Sequence, residues 1–192
     1  EEFVERLKKL EKICHHFHLS LQSGCDETLK RMNRRYTTGQ FKEIVRLLRN
    51  AYEDVNLTTD IIVGFPGETD EEFNKTYQFL KEIKFYKMHV FKYSPRKGTK
   101  AAVMPNQISG DIKEKRSREL IELSNENELE YNQKYVGKEM EVLFEEEKEK
   151  TYKGHTQNYI LVYCQTDKKI DNEIEKVVCK KAEQDHIVGE IL

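Results

Sequence analysis

The stretch Asp60-Ile61-Ile62-Val63-Gly64-Phe65-Pro66-Gly67-Glu68-Thr69 decides the fold. A run of β-branched residues stops in a Gly/Pro turn, and Thr69 with Glu72 forms a Thr-x-x-Glu capping box that starts a helix at once. An apolar strand feeding straight into a helix is the unit of a parallel α/β sheet. The carboxyl ends of such strands are where these folds hold small ligands. Asp60 interrupts the apolar run, and a charge inside a strand is costly to bury unless something binds it.

The same pattern repeats on either side. Phe3, Leu7, Leu10 and Cys14 share one helical face, so residues 2–13 read as a helix. His16 to Gln22 alternates as a strand and ends at Ser23-Gly24. Asp26 is placed to cap a short helix running to about Met32. A helix over 39–53 buries Phe41, Ile44, Val45, Leu48, Ala51 and Tyr52. After the strand Leu57 to Gly64, the next helix carries a core stripe of Phe73, Tyr77, Leu80 and Ile83, and Lys87 to Tyr93 is a third strand, stopped by Pro95 and Gly98. Short loops and right-handed crossovers make the three strands parallel. Ser109 to Gln133 reads as one long charged helix with Ile112, Leu120, Leu123 and Leu129 as its apolar positions. Beyond Val136-Gly137 the period changes to two. Met140, Val142 and Phe144 alternate, and Tyr159–Cys164, Val177–Cys179 and Ile187–Leu192 read as strands of a small all-β module. The expected division is 1–135 and 136–192, with Glu145 to Lys150 a solvated hairpin.

Composition narrows the function. The chain has 192 residues, 35% of them charged, and a net charge of −2, which excludes a strongly basic nucleic-acid binder but leaves room for local basic clusters. It has no apolar run long enough to span a membrane. Cys14, Cys25, Cys164 and Cys179 are scattered without metal-ligand spacing, which reads as reduced thiols of a cytoplasmic protein. His15, His16 and His18 straddle a helix end and a strand, an arrangement that disfavours a shared metal. The chain opens at Glu1-Glu2-Phe3 without an initiator Met, and the expectation is a piece of a longer protein.

Three strand ends carry polar residues: Gln22-Ser23, Asp60 with Gly64, and Lys92 to Ser94. Asp60 can accept from a ribose or an amine, and Gly64, lacking Cβ, lets a flat ring approach the backbone. The residues favour the ligand reading and leave a structural turn with a satisfied carboxylate open as the alternative. Lys30 to Tyr36 is a basic cluster beside an aromatic, and Arg96-Lys97 extends the loop after the third strand. Phosphate contact and a solvated helix end are both open there. Tyr152 to Tyr159 mixes aromatic, amide and basic groups suited to RNA stacking, or to an ordinary hairpin.

Three segments, His16 to Thr37 (HFHLSLQSGCDETLKRMNRRYT), Thr58 to Phe73 (TTDIIVGFPGETDEEF) and His89 to Ile108 (HVFKYSPRKGTKAAVMPNQI), together resemble the radical S-adenosylmethionine (SAM) methylthiotransferases. The last of them is most similar to the branch acting on threonylcarbamoyladenosine in tRNA. The resemblance implies an α/β fold, the second half of a radical SAM (β/α)6 partial barrel, followed by an OB-like TRAM domain that binds RNA. It implies SAM and two 4Fe–4S clusters in the intact enzyme, one cleaving SAM to a radical and one supplying sulfur. An electron donor and a tRNA anticodon stem-loop follow as partners. Ile62 and Gly64 match the adenine-contacting Gly-x-Ile-x-Gly-x-x-Glu motif, with Asp60 in place of its first glycine and the acid one place late at Glu68. Gln22 and Ser23 would face the rest of SAM, with Phe91 and Tyr93 near adenine. Arg34, Arg35, Arg96, Lys97, Lys153, Asn158 and Tyr159 are the implied tRNA contacts. The chain departs from the family in having no Cys-x-x-x-Cys-x-x-Cys, so radical chemistry is not expected from this chain alone. Two alternatives accompany this reading: a methylthiotransferase of ribosomal protein S12, and a non-catalytic RNA-binding protein.

Overall fold

The structure, a computed structural model, describes residues 2–192. Strand β2 (Asn56–Val63) lies at the centre of a three-stranded parallel sheet, between β1 (His16–His18) and β3 (Lys87–Lys92). Helix α1 (Glu2–Leu7) precedes β1. Helices α2 (Asp26–Arg31) and α3 (Thr38–Ala51) connect β1 to β2, and α4 (Asp70–Ile83) connects β2 to β3. Helix α5 (Gly110–Gln133) packs on β3. Two of these helices open on capping boxes, that of α4 being the one read from the sequence. Thr37 with Gln40 caps α3, and Thr69 with Glu72 caps α4, each as a complete capping box.

Strand alternation gives the sheet two unlike faces. Leu57, Ile61 and Val63 join Phe41, Val45, Leu48, Leu80, Phe85 and Leu120 in the core under the helices. The other face carries His16, His18, Thr58, Asp60 and His89.

Several expected boundaries shift. α1 ends at Leu7 rather than 13, and regular pairing of β1 stops at His18. Cys25 occupies the N-cap of α2 without a side-chain bond to the helix's free backbone N–H groups, while the Asp26 carboxylate accepts from Thr38 N at 2.7 Å and so ties α2 to α3. Ile44 and Ile112 stand exposed. In α5 the buried stripe is largely polar. Ser124 Oγ accepts from Met88 N, Glu128 pairs with Lys87 at 2.9 Å, and Leu120 and Leu123 supply the apolar contacts.

β4 (Glu139–Lys148), β5 (Thr151–Thr156), β6 (Leu161–Gln165), β7 (Ile174–Ala182) and β8 (Ile187–Ile191) close a small barrel in the order β4-β5-β6-β8-β7. All its pairings are antiparallel except β6 with β8. Its own core contains Val142, Phe144, Ile160, Val162, Val177 and Ile187. Gly154 is required there, because a Cβ would meet the Leu143 carbonyl oxygen at 2.2 Å. Glu145 to Lys150 forms the exposed end of the β4–β5 hairpin. The barrel joins the sheet through polar contacts at the end of α5. Asn158 Nδ2 donates to Tyr135 Oη at 2.9 Å and to the Asp54 carbonyl at 3.3 Å. Asn132 Nδ2 donates to the Glu183 and Gln184 carbonyls.

Candidate ligand pocket and basic surface

At the carboxyl ends of β2 and β3 the polar face of the sheet opens into a cavity of about 520 Å³. Gln22, Asp60, Ile62, Phe91 and Tyr93 line it, together with Ser94, Arg96, Thr99 and Ala101 from the loop after β3. Register explains the grouping. Asp60 stands beside His89 and Ile62 beside Phe91, so these side chains share one face. Gln22 is brought in by its backbone, which donates to the Asp60 carbonyl at 2.8 Å and accepts from Ile62 N at 2.9 Å. It does so in the left-handed region, φ 71°, a conformation uncommon outside glycine. Phe91 leaves half its surface open (52%), an apolar wall for a planar ligand. A second cavity of about 420 Å³, near Arg49, Tyr86, Tyr131 and Tyr135, lies away from these strand ends.

Two expected cofactor contacts take other roles. Ser23 is fully buried, its hydroxyl 3.2 Å from Thr76 Oγ1 on α4 and accepting from Cys25 N, so it serves the turn rather than the cavity. Gly64 has φ +70°, and the space where its Cβ would sit is taken by Lys113 Cγ at 2.3 Å. The glycine admits the stem of a lysine from α5, where a flat ring was expected. Lys113 Nζ then donates to the Tyr93 carbonyl at 3.0 Å. Glu68 is also structural. It accepts from Gly64 N and from Arg116 Nη1, both at 2.7 Å. Burial raises its carboxyl above the usual range against the lowering effect of the Gly64 N–H and Arg116.

Asp60 is not left bare in its strand. Its Oδ2 lies 3.2 Å from His18 Nε2, and His18 Nδ1 and His16 Nε2 both reach Thr58 Oγ1, at 3.0 and 3.1 Å. The sequence reading weighed these histidines as metal ligands and missed this line of contacts. The signal was present in the His-x-His and Thr-x-Asp alternation, which puts all four side chains on one face. Burial, then His18 and His155, lowers the proton affinity of His16. Among the described residues no three His, Cys, Asp or Glu side chains converge as a metal site. Cys25, Cys164 and Cys179 are buried, and burial pushes the Cys164 thiol up to about 12, so these thiols do not fit a cluster's ligand set.

Arg34, Arg35, Arg96 and Lys97 are exposed, and none has a side-chain ion pair among the described residues. Arg31 beside them is spent on a two-pronged pair with Glu72. The barrel is different in character. Residues 136–192 carry nine lysines against thirteen Asp and Glu. Lys153 is paired with Glu146 at 3.0 Å. Asn158, expected to touch RNA, is buried, with its amide spent on Tyr135 and Asp54. Tyr159 is half exposed, and its ring already stacks with His16 at 4.8 Å and with His155 at 4.3 Å.

Comparison with known proteins agrees with this geometry. The profile of the Radical SAM superfamily matches residues 1–80. Coproporphyrinogen III oxidase (HemN) from Escherichia coli, described as a radical SAM enzyme, shares the fold at a TM-score of 0.56 and 18% identity, over 66% of this chain and 29% of that one. The sheet therefore has the radical SAM fold. The threonylcarbamoyladenosine tRNA methylthiotransferase MtaB of Bacillus subtilis (strain 168) is 41% identical over 187 residues, 95% of this chain and 42% of that protein. The tRNA-2-methylthio-N(6)-dimethylallyladenosine synthase of Pelotomaculum thermopropionicum is 44% identical over 147 residues, 77% of this chain and 33% of that protein. That of Caldicellulosiruptor saccharolyticus is 36% identical over 194 residues, 100% of this chain and 41% of that protein. The chain belongs to the radical SAM methylthiotransferase family. It spans about two fifths of the length of these curated relatives or less.

Proposed function

We propose that this chain is the carboxyl-terminal part of a cytoplasmic tRNA methylthiotransferase acting on threonylcarbamoyladenosine beside the anticodon. The observation that carries the reading is the 41% identity to the Bacillus subtilis relative over 95% of the chain, an alignment long enough to include both sheet and barrel. We assign 1–135 and 136–192 as its two parts, a reading supported by separate cores in sheet and barrel, with Tyr131 and Tyr135 at the end of α5 packing into the barrel core, and the barrel is assigned as the OB-like TRAM domain.

The pocket fits SAM in size and chemistry. Ile62, Phe91 and Tyr93 offer apolar walls to adenine, while Asp60 and the Gln22 side chain offer polar contacts. In such enzymes SAM supplies a radical and a methyl group. The residues here bind and orient it, and Phe91 and Tyr93 shield it from water. The cysteine set of this chain does not fit an iron–sulfur cluster, so cluster ligands are assigned to sequence outside the chain, along with the electron donor's contacts. The fragment is accordingly inactive alone. For tRNA, the unpaired cations Arg34, Arg35, Arg96 and Lys97 are the phosphate contacts. The acidic β4–β5 side of the barrel faces away from RNA.

Mass spectrometry of tRNA nucleosides, and of ribosomal protein S12, from cells with and without the parent gene tests the assignment. Loss of the 2-methylthio group from threonylcarbamoyladenosine supports it. Loss from dimethylallyladenosine instead moves the chain to the second branch, which the 44% identity to the Pelotomaculum synthase favours as the alternative. A change confined to S12, or none at all, removes the tRNA reading.

A further inference from the structure

We infer that Lys113 is a positioning residue for the ligand pocket: from α5 it fixes the point where the loop after β3 leaves the sheet, and so the part of the pocket wall that this loop supplies. The role rests on the ligand reading of the pocket, whereas the anchoring itself stands on geometry.

The pocket has two unlike walls. Ile62 and Phe91 are register partners in β2 and β3, and the sheet holds them. Regular pairing of these strands ends at Val63 and Lys92. Ser94, Arg96, Thr99 and Ala101 line the cavity from beyond that point. Among the described residues, the hydrogen bonds of residues 94–105 are all made within residues 94–107, as from Thr99 to the Arg96 carbonyl and from Gln107 Nε2 to the Ala101 and Met104 carbonyls. Pro95 and Pro105 have no N–H to give. The loop therefore takes its place from its two ends. At the far end the Asn106 carbonyl accepts from Gly67 N at 2.9 Å. At the near end stands Tyr93, whose N–H donates to the Val63 carbonyl at 2.9 Å.

Lys113 supplies the rest of that near anchor. Its Nζ donates to the Tyr93 carbonyl at 3.0 Å and lies 5.3 Å from the centroid of the Tyr93 ring, within the range of a cation–π contact. Its stem runs through the space left by the absent Cβ of Gly64, with Cγ 2.3 Å from where that atom would be. The lysine thus threads past the end of β2 to reach the end of β3, and Gly64 is what lets it through. The Tyr93 ring also meets Phe65 edge-on at 5.2 Å. One turn along α5, Arg116 donates to Glu68 Oε2, which accepts from Gly64 N. Helix α5 therefore grips the turn after β2 with Arg116 and the end of β3 with Lys113. The stem of Lys113 fills space and its head makes the directed contacts, so substitution can separate the two.

The test is NMR on the isotopically labelled 192-residue chain, first without ligand. Lys113→Met keeps an unbranched stem and removes the cationic head. Backbone order parameters between Tyr93 and Asn106 are expected near about 0.85 in the wild type and below about 0.6 in Lys113→Met, with β2, α4 and the barrel unchanged. Lys113→Arg is expected to restore the loop. Overhauser contacts from the Lys113 stem to Gly64 and to the Tyr93 ring, read in the wild type, cover the case of a poorly folded Lys113→Met. SAM is then titrated into each protein with the Ile62 methyl shifts reading occupancy, and Lys113→Met is expected to bind about tenfold more weakly. The role is overturned by a loop already mobile in the wild type, by one equally ordered in folded Lys113→Met, or by order lost across the sheet as well. Missing Overhauser contacts, or equal SAM affinity beside a loosened loop, overturn it too. A wild type that does not bind SAM removes the ligand reading instead, and the order of the loop still decides the anchor.

Discussion

Gly64 was legible in the sequence as a position needing glycine, but for a different neighbour. Its positive φ and the Lys113 stem both forbid a side chain. Gly64→Ala is expected to destabilise the fold by about 1–3 kcal/mol, measured by urea unfolding. The ion pair of Glu68 with Arg116 was not legible, because its partners lie 48 residues apart and nothing local joins them. Glu27 offers a pH test. A hydrogen bond from the Cys25 thiol and the nearby Lys75 hold its carboxyl down, from 4.5 to about 2. A depressed folded value contributes stability above the unfolded value and loses it as pH falls through the folded one. The stability gap between wild type and Glu27→Gln is therefore expected to be full above pH 4.5 and to close between there and pH 2. Chemical denaturation across that range reads it.

At the scale of elements, capping boxes and alternation are short-range signals, so α3, α4, β2 and β3 were readable to within a residue or two. Thr69→Ala should cost about 1 kcal/mol through loss of the α4 cap, seen as a lower thermal midpoint. Helix α5 was readable in extent but not in packing. Its buried Ser124, Asn127, Glu128 and Asn132 would be solvent-facing in an ordinary amphipathic helix. Here they meet strand edges and the barrel, because one helix serves two cores. The β4–β5 turn runs against local preference. Glu149 and Lys150 both have positive φ, 52° and 66°, in a two-residue hairpin connection where Asn-Gly is favoured. Lys150→Gly is expected to raise stability by about 0.5–1 kcal/mol, measured by the same unfolding curves.

For the whole molecule, the joint between sheet and barrel rests on few polar groups. Asn158→Ala leaves the buried Tyr135 hydroxyl short of a donor and should cost about 1–3 kcal/mol. Hydrogen exchange should show the loss concentrated where Tyr131, Tyr135 and Asp54 meet the barrel. Charge is divided unevenly between the parts, with the barrel acidic and free cations on the loops after α2 and β3. Arg34→Glu with Arg35→Glu should weaken tRNA binding and flatten its salt dependence, whereas Lys153→Glu should change neither. Filter binding at several salt concentrations separates these outcomes.

The sequence by itself determined the strand–helix order, the parallel sheet, the change to an all-β module and the family, because each is written in local periodicity, capping residues or contiguous motifs. It also placed Gln22, Asp60, Ile62, Phe91 and Tyr93 at strand ends that the fold gathers around one cavity. Tertiary structure alone decided what covers each side chain. Ser23 turns under α4, Asn158 is sealed beneath α5, the Tyr159 ring stacks with two histidines, and His16 and His18 line up with Thr58 and Asp60. A period of two states which face a residue occupies. What lies against that face comes from chain tens of residues away, brought there by register and burial.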